Sequence, residues 1–160
     1  MTAQERSEFI ARYGAGYDAV VTALDGISPA ELDWKPAPSE WSAREVVHHL
    51  ADSEMIAAVR LRRMLVEDGA PITPYDPDEL ARRLAYAQRP HAPALALFQA
   101  TRATTVPLLE RMTDADWGRA GMHPKKGSYP VEQWLRDYAG HAHEHAEQIH
   151  ANRAGFRGGK

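Results

Sequence analysis

The stretch Y-A-G-H-A-H-E-H-A-E-Q-I, Tyr138 to Ile149, decides how this chain is read. On a helix at about 100° per residue, with His141 as origin, Trp134 lies at about 20°, His145 at about 40° and Tyr138 at about 60°. Val131 and Ile149 share that sector. His143 and His150 fall on the far side with Glu132 and Arg136, so they are expected to point to solvent. The cluster is thus an inward pair, His141 and His145, plus an outward residue. Two imidazoles at i and i+4 lie one turn apart on one face and can share a cation. Glu144 follows His143 rather than His141, so the H-E-x-x-H protease signature does not apply.

A third imidazole comes from an earlier helix. Ser42-Ala43-Arg44-Glu45 matches a capping box, which starts a helix expected to reach about Glu67. On its wheel His49 borders the stripe of Val46, Leu50, Ala57, Leu61 and Met64, whereas His48 is expected to point away. His49 can therefore face the pair. Three neutral imidazoles and a water make an open metal site of the catalytic kind. For any one of these histidines the plainer role is a hydrogen-bonded core or rim residue. Glu45-x-x-His48 and Glu147-x-x-His150 resemble ferritin-like di-iron ligands, but neither set faces its own apolar stripe, so that reading fails.

Glu54 lies among Leu61 and Val47, where a carboxylate needs a partner. The simpler expectation is an ion pair with an arginine; a general base or a group beside the metal is the other. Trp41 and Tyr138 are read as core or rim aromatics.

Outward from these stretches the chain is helical. A first helix is expected over about Gln4 to Leu24, and a short one after Ser28-Pro29. A connecting helix is expected over Asp78 to Gln88, and a long one from Pro93 to Met112 with a kink or early end at Pro107. Gly118 to Gly127 reads as a loop, and no strand signal competes. Residues 1–154 form one expected domain, and 155–160 a flexible, frayed tail. The segments Leu24 to Trp34 and Leu109 to Trp117 are faintly alike, which either a pseudo-twofold or a coincidence of helix-capping chemistry explains. The long connections suggest an all-α four-helix bundle with crossovers.

Composition narrows the function. The chain has 160 residues, a formal charge of −3 and no cysteine. Nothing points to a nucleic-acid partner, and thiolate sites, disulfides and a cysteine nucleophile are excluded. No apolar run approaches the roughly 18 residues of a membrane span. The first ten residues lack a signal-peptide core, so a cytoplasmic protein is expected.

The segments Glu40 to Glu54, Gly69 to Leu80, and His123-Pro124 through to Ile149 together resemble the DinB/YfiT-like superfamily, and its YfiT-like branch more closely. That resemblance implies a four-helix bundle, often a homodimer, with zinc or nickel on three histidines, which carry over to His49, His141 and His145. The YfiT-like pattern has histidine where this chain has Glu54, and more histidines around Glu144 and Gln148. Members look like metal-dependent hydrolases or thiol-S-transferases, implying a small-molecule substrate and a low-molecular-weight thiol as possible co-substrate. The other class is a non-catalytic stress or binding protein with a structural metal. A fourth ligand from Glu54 or Asp52 would favour that second class.

Overall fold

Four long helices carry the structure, a computed structural model that describes residues 1–159. They are α1 (Ala3–Leu24), α3 (Ala43–Val66), α5 (His91–Glu110) and α7 (Val131–Gly158). Short helices α2 (Pro29–Asp33), α4 (Pro77–Arg83) and α6 (Asp114–Trp117) lie in the connections, with a 3₁₀ turn at Tyr86–Gln88. The sequence specifies most of the starts by the same chemistry. Thr2, Ser28, Ser42 and Thr113 each cap a helix, and the acidic residue three positions on returns the bond to the cap backbone. Two of these boxes, at Ser28 and Thr113, open the two segments that look alike, and each short helix ends at a tryptophan, Trp34 or Trp117.

The packing is not that of a plain up-down bundle. α1 lies along α7 and α5, and α3 lies along α5 and α7, so the consecutive helices α1 and α3 face each other across the core. The pairs α1–α7 and α3–α5 pack most extensively, and α3–α7 and α1–α5 complete the bundle. That arrangement requires the long crossovers.

Several boundaries differ from expectation for local reasons. α5 passes Pro107, whose missing N–H removes the helical bond to the Ala103 carbonyl, and ends one turn later at Glu110. α7 does not fray at Gly155 but runs to Gly158. Gly155 lies flat on Trp34, where a Cβ would come within 2.7 Å of the indole, and Phe156 meets that ring edge-on at 6.3 Å. The expected loop after α6 is a hairpin of β1 (Ala120–His123) and β2 (Gly127–Pro130), paired from Ala120↔Pro130 to His123↔Gly127. Met122 adds a third partner, donating to Ala70 O at 2.8 Å and accepting from Ile72 N at 2.9 Å. This pins the 69–77 loop over α3.

Two apolar clusters fill the bundle, one around Val20, Leu50, Phe98 and Ile149, the other around Tyr13, Leu61, Leu109 and Trp134. Arg102 sits between them, its guanidinium 4.8 Å from the Phe98 ring and 4.2 Å from that of Tyr13. Its Nε donates to Glu54 at 2.8 Å, Nη2 to Tyr138 O at 3.0 Å, and Nη1 to Tyr13 O. The Tyr13 hydroxyl takes the other Glu54 oxygen. Gly16 makes room, because a Cβ there would lie 2.7 Å from that of Ala142 and closer still to Arg102.

Removing one member of a buried pair strands the other. Arg102→Leu should lower stability by about 3–5 kcal/mol, and Arg102→Leu with Glu54→Leu should recover part of that loss. Urea unfolding midpoints of the two variants against wild type read the difference.

Candidate metal centre

His49 is carried two turns into α3, and His141 and His145 stand one turn apart on α7. Their ring nitrogens converge. His141 Nε2 lies 3.2 Å from His49 Nε2 and 3.2 Å from His145 Nε2, and one ligand atom from each residue falls within 4.8 Å of the others. Zn–N bonds of 2.0–2.1 Å in a tetrahedron put nitrogens about 3.3 Å apart, so two edges already have the spacing of a bound cation. Among the described residues this is the one group of three or more histidine and acidic side chains so placed.

The electrostatics favour ligation over charge. Burial, with the neighbouring histidines adding to it, pushes His49 and His141 down to about 3, and burial also lowers His145. Neutral imidazoles keep a lone pair for a metal. The Gln148 side-chain oxygen lies 2.8 Å from His145 Nδ1. Since that oxygen only accepts, it places the proton on Nδ1 and leaves Nε2 free to bind. His141 Nδ1 is buried without a protein partner.

Trp41 forms a wall, its ring 4.6 Å from His49 and stacked on His145 at 6.3 Å. Its carbonyl accepts from Asn152 Nδ2 at 2.8 Å. Tyr138 closes the opposite side, edge-on to His141 at 5.9 Å. Both are rim aromatics, as expected, packed at the edge of the apolar clusters, and from there they also bound the histidine cluster.

The other flagged residues separate. Glu54 has both oxygens engaged, by Arg102 and Tyr13, so it is the ion-paired carboxylate and not a free base. Burial raises its carboxyl, against the pull of Arg102 and the Tyr13 hydroxyl. Asp52 accepts from the Tyr86 hydroxyl at 2.5 Å. Neither adds a fourth ligand to the cluster. His48 does not point to solvent: it is buried beneath Tyr86, stacked at 5.3 Å, with Nε2 3.3 Å from Arg89 O. His143 is half-buried, its Nε2 2.9 Å from Arg12 O on α1. His150 is exposed, as expected. Sequence reasoning missed Gln148 and Asn152, although both lie on the His141–His145 face three and seven positions beyond His145.

A helical bundle of this connectivity, with three histidines gathered between two of its helices, defines a family. The DinB superfamily profile matches residues 12–149, and the chain belongs to that superfamily. A Geobacillus kaustophilus protein named "Putative metal-dependent hydrolase" is 32% identical over 149 residues, covering 92% of this chain and 83% of its own. YfiT of Bacillus subtilis, named in the same way, is 31% identical over 128 residues, covering 79% and 72%. The solved structure of YfiT superposes with a TM-score of 0.90 at 27% identity, over 99% of this chain and 90% of that one. It is described as a probable metal-dependent hydrolase with an unusual four-helix bundle topology. The DinB/YfiT-like fold is thus that of this chain.

The lowered histidines also give a pH signature without metal. The unfolded chain takes up protons at these residues near pH 6.5 and the folded chain does not until about pH 3, so stability falls as pH drops through that window. Urea midpoints of metal-free protein between pH 7 and 4 should fall, and His141→Gln should remove roughly one proton from that slope.

Proposed function

We propose that the chain is a metal-dependent enzyme of the hydrolase or thiol-S-transferase type, with one divalent ion, zinc or nickel, held by His49, His141 and His145. The observation that carries this reading is a cluster of three neutral imidazoles, one buried and two half-buried, in which neither nearby carboxylate takes a fourth place. Structural zinc sites are usually closed by four protein ligands, whereas three ligands leave a position for a reactant. A cation bound there supplies a Lewis acid that lowers the pKa of a water or small thiol brought to it.

The residues of the chain do the rest. Gln148 fixes the ring orientation and tautomer of His145. Trp41 and Tyr138 shield the histidines from both sides and narrow the approach of solvent. The chain has no cysteine, so a thiol in the reaction would arrive as a co-substrate. The names of the relatives, putative metal-dependent hydrolases, support the same class.

Metal content decides the matter. Protein purified without a tag and measured by plasma mass spectrometry should carry about one equivalent of zinc or nickel, lost in His145→Ala; Gln148→Ala should weaken the metal about 10–100-fold. Absence of metal after incubation with both ions would refute the centre. A fully loaded protein that turns over neither ester-like substrates nor a thiol with an electrophile would refute the enzyme while leaving the centre.

A further inference from the structure

Beyond Tyr138 the groove between α3 and α7 opens into a cleft of about 230 Å³. Arg60 of α3 lines it with Tyr75 from the 69–77 loop, His123 and Lys126 from the hairpin, and Asp137 and Tyr138 from α7. Its charge is unbalanced. Arg60 is half-buried, yet its guanidinium meets only neutral groups: the Tyr138 hydroxyl at 3.4 Å, Thr73 O, and the Tyr75 ring at 5.4 Å. No carboxylate pairs with Arg60 or Lys126 among the described residues, although eleven other cationic groups, including the N-terminus, do find one. Asp137, the one acid of the cleft wall among the described residues, accepts from the Tyr129 hydroxyl at 2.6 Å and Gln133 Nε2 at 2.6 Å, and its single negative charge stands against the two cations Arg60 and Lys126. His123 accepts the backbone N–H groups of Lys125 and Lys126 at Nδ1, which leaves Nε2–H as a donor.

A planar guanidinium beside an ammonium and an imidazole N–H is the donor set that holds a carboxylate or phosphate. The separation from the histidines is one phenol ring: the Tyr138 hydroxyl meets Arg60 and the Tyr138 ring meets His141. We propose that this cleft is an anion subsite, gripping a carboxylate or phosphate group of a small substrate whose reacting end passes Tyr138 to the three histidines. The role of the far end rests on the metal-centre reading; the anion site does not.

The test is a titration of zinc-loaded protein with inorganic phosphate, and separately with succinate, followed by amide NMR shifts near Tyr75 and Tyr138. At least one anion should bind saturably, with a stronger response to phosphate pointing to phosphate esters and to succinate pointing to carboxylic acids. Arg60→Gln should weaken binding at least about tenfold, the worth of a charged hydrogen bond, with Arg60→Lys restoring part of it. Exposed Lys126→Ala should weaken it by a smaller factor, and serves should Arg60→Gln fold poorly. His145→Ala should bind the anion as wild type does, which separates this site from an anion on the metal. No saturable binding of either anion, or binding that survives Arg60→Gln and vanishes in His145→Ala, would overturn the subsite.

Discussion

One guanidinium joins all four long helices. Arg102 of α5 reaches Glu54 of α3 and the backbone carbonyls of Tyr13 on α1 and Tyr138 on α7. A buried charge is expensive to desolvate, so it is tolerated only where every donor finds an acceptor. That demand is also a positional constraint: the four helices can hold Arg102 in one relative height and rotation, and sliding any of them by a turn leaves an unpaired charge. Apolar packing alone would not discriminate so sharply between registers. The carbonyl that Arg102 takes on α7 belongs to Tyr138, three residues before His141, so the constraint that orders the core also sets the level of the histidine cluster.

Much of this was legible in the sequence, because the signals were local. The capping residues Ser28 and Ser42 mark helix starts with acids three residues on, and the apolar stripes of α3 and α7 turn His49 toward His141 and His145. What escaped was non-local. A helical wheel knows a helix's own stripe but not what lies over its other faces. His48 was expected to face solvent, yet the crossover brings Tyr86 onto it, and α1 covers His143 in the same manner. The partner of Glu54 lies 48 residues away as the single arginine of α5, and no local pattern links the two.

The hairpin illustrates the same limit. Four-residue strands bury little surface, and their apolar alternation is too short to read. They hold here because the 70–72 segment docks on Met122 and because Tyr129 is tied to Asp137 on α7. The Met122 contacts reach back about fifty residues, beyond any window of sequence, whereas Tyr129 and Asp137 are eight apart. The same contacts bring His123 and Lys126 beside Arg60, so a feature invisible in the sequence builds the wall of the cleft next to the centre.

The centre is set by the register of α3 against α7, and that register is clamped on both sides. Trp134 Nε1 donates to Ala57 O at 2.9 Å on one flank, and Asn152 donates to Trp41 O on the other. From Trp41, just before the α3 cap, through His49 to Ala57, the partners descend α7 from Asn152 through His145 and His141 to Trp134, so the two helices run antiparallel with the histidines midway between the clamps. Both ligand pair and orienting Gln148 belong to one helix face, where spacing is fixed by the backbone rather than by a loop. His49 is then the one ligand whose distance could vary, and the two clamps hold its helix. A site assembled this way presents two of its three nitrogen–nitrogen edges already at coordinating separation, so a cation would spend little binding energy in ordering them.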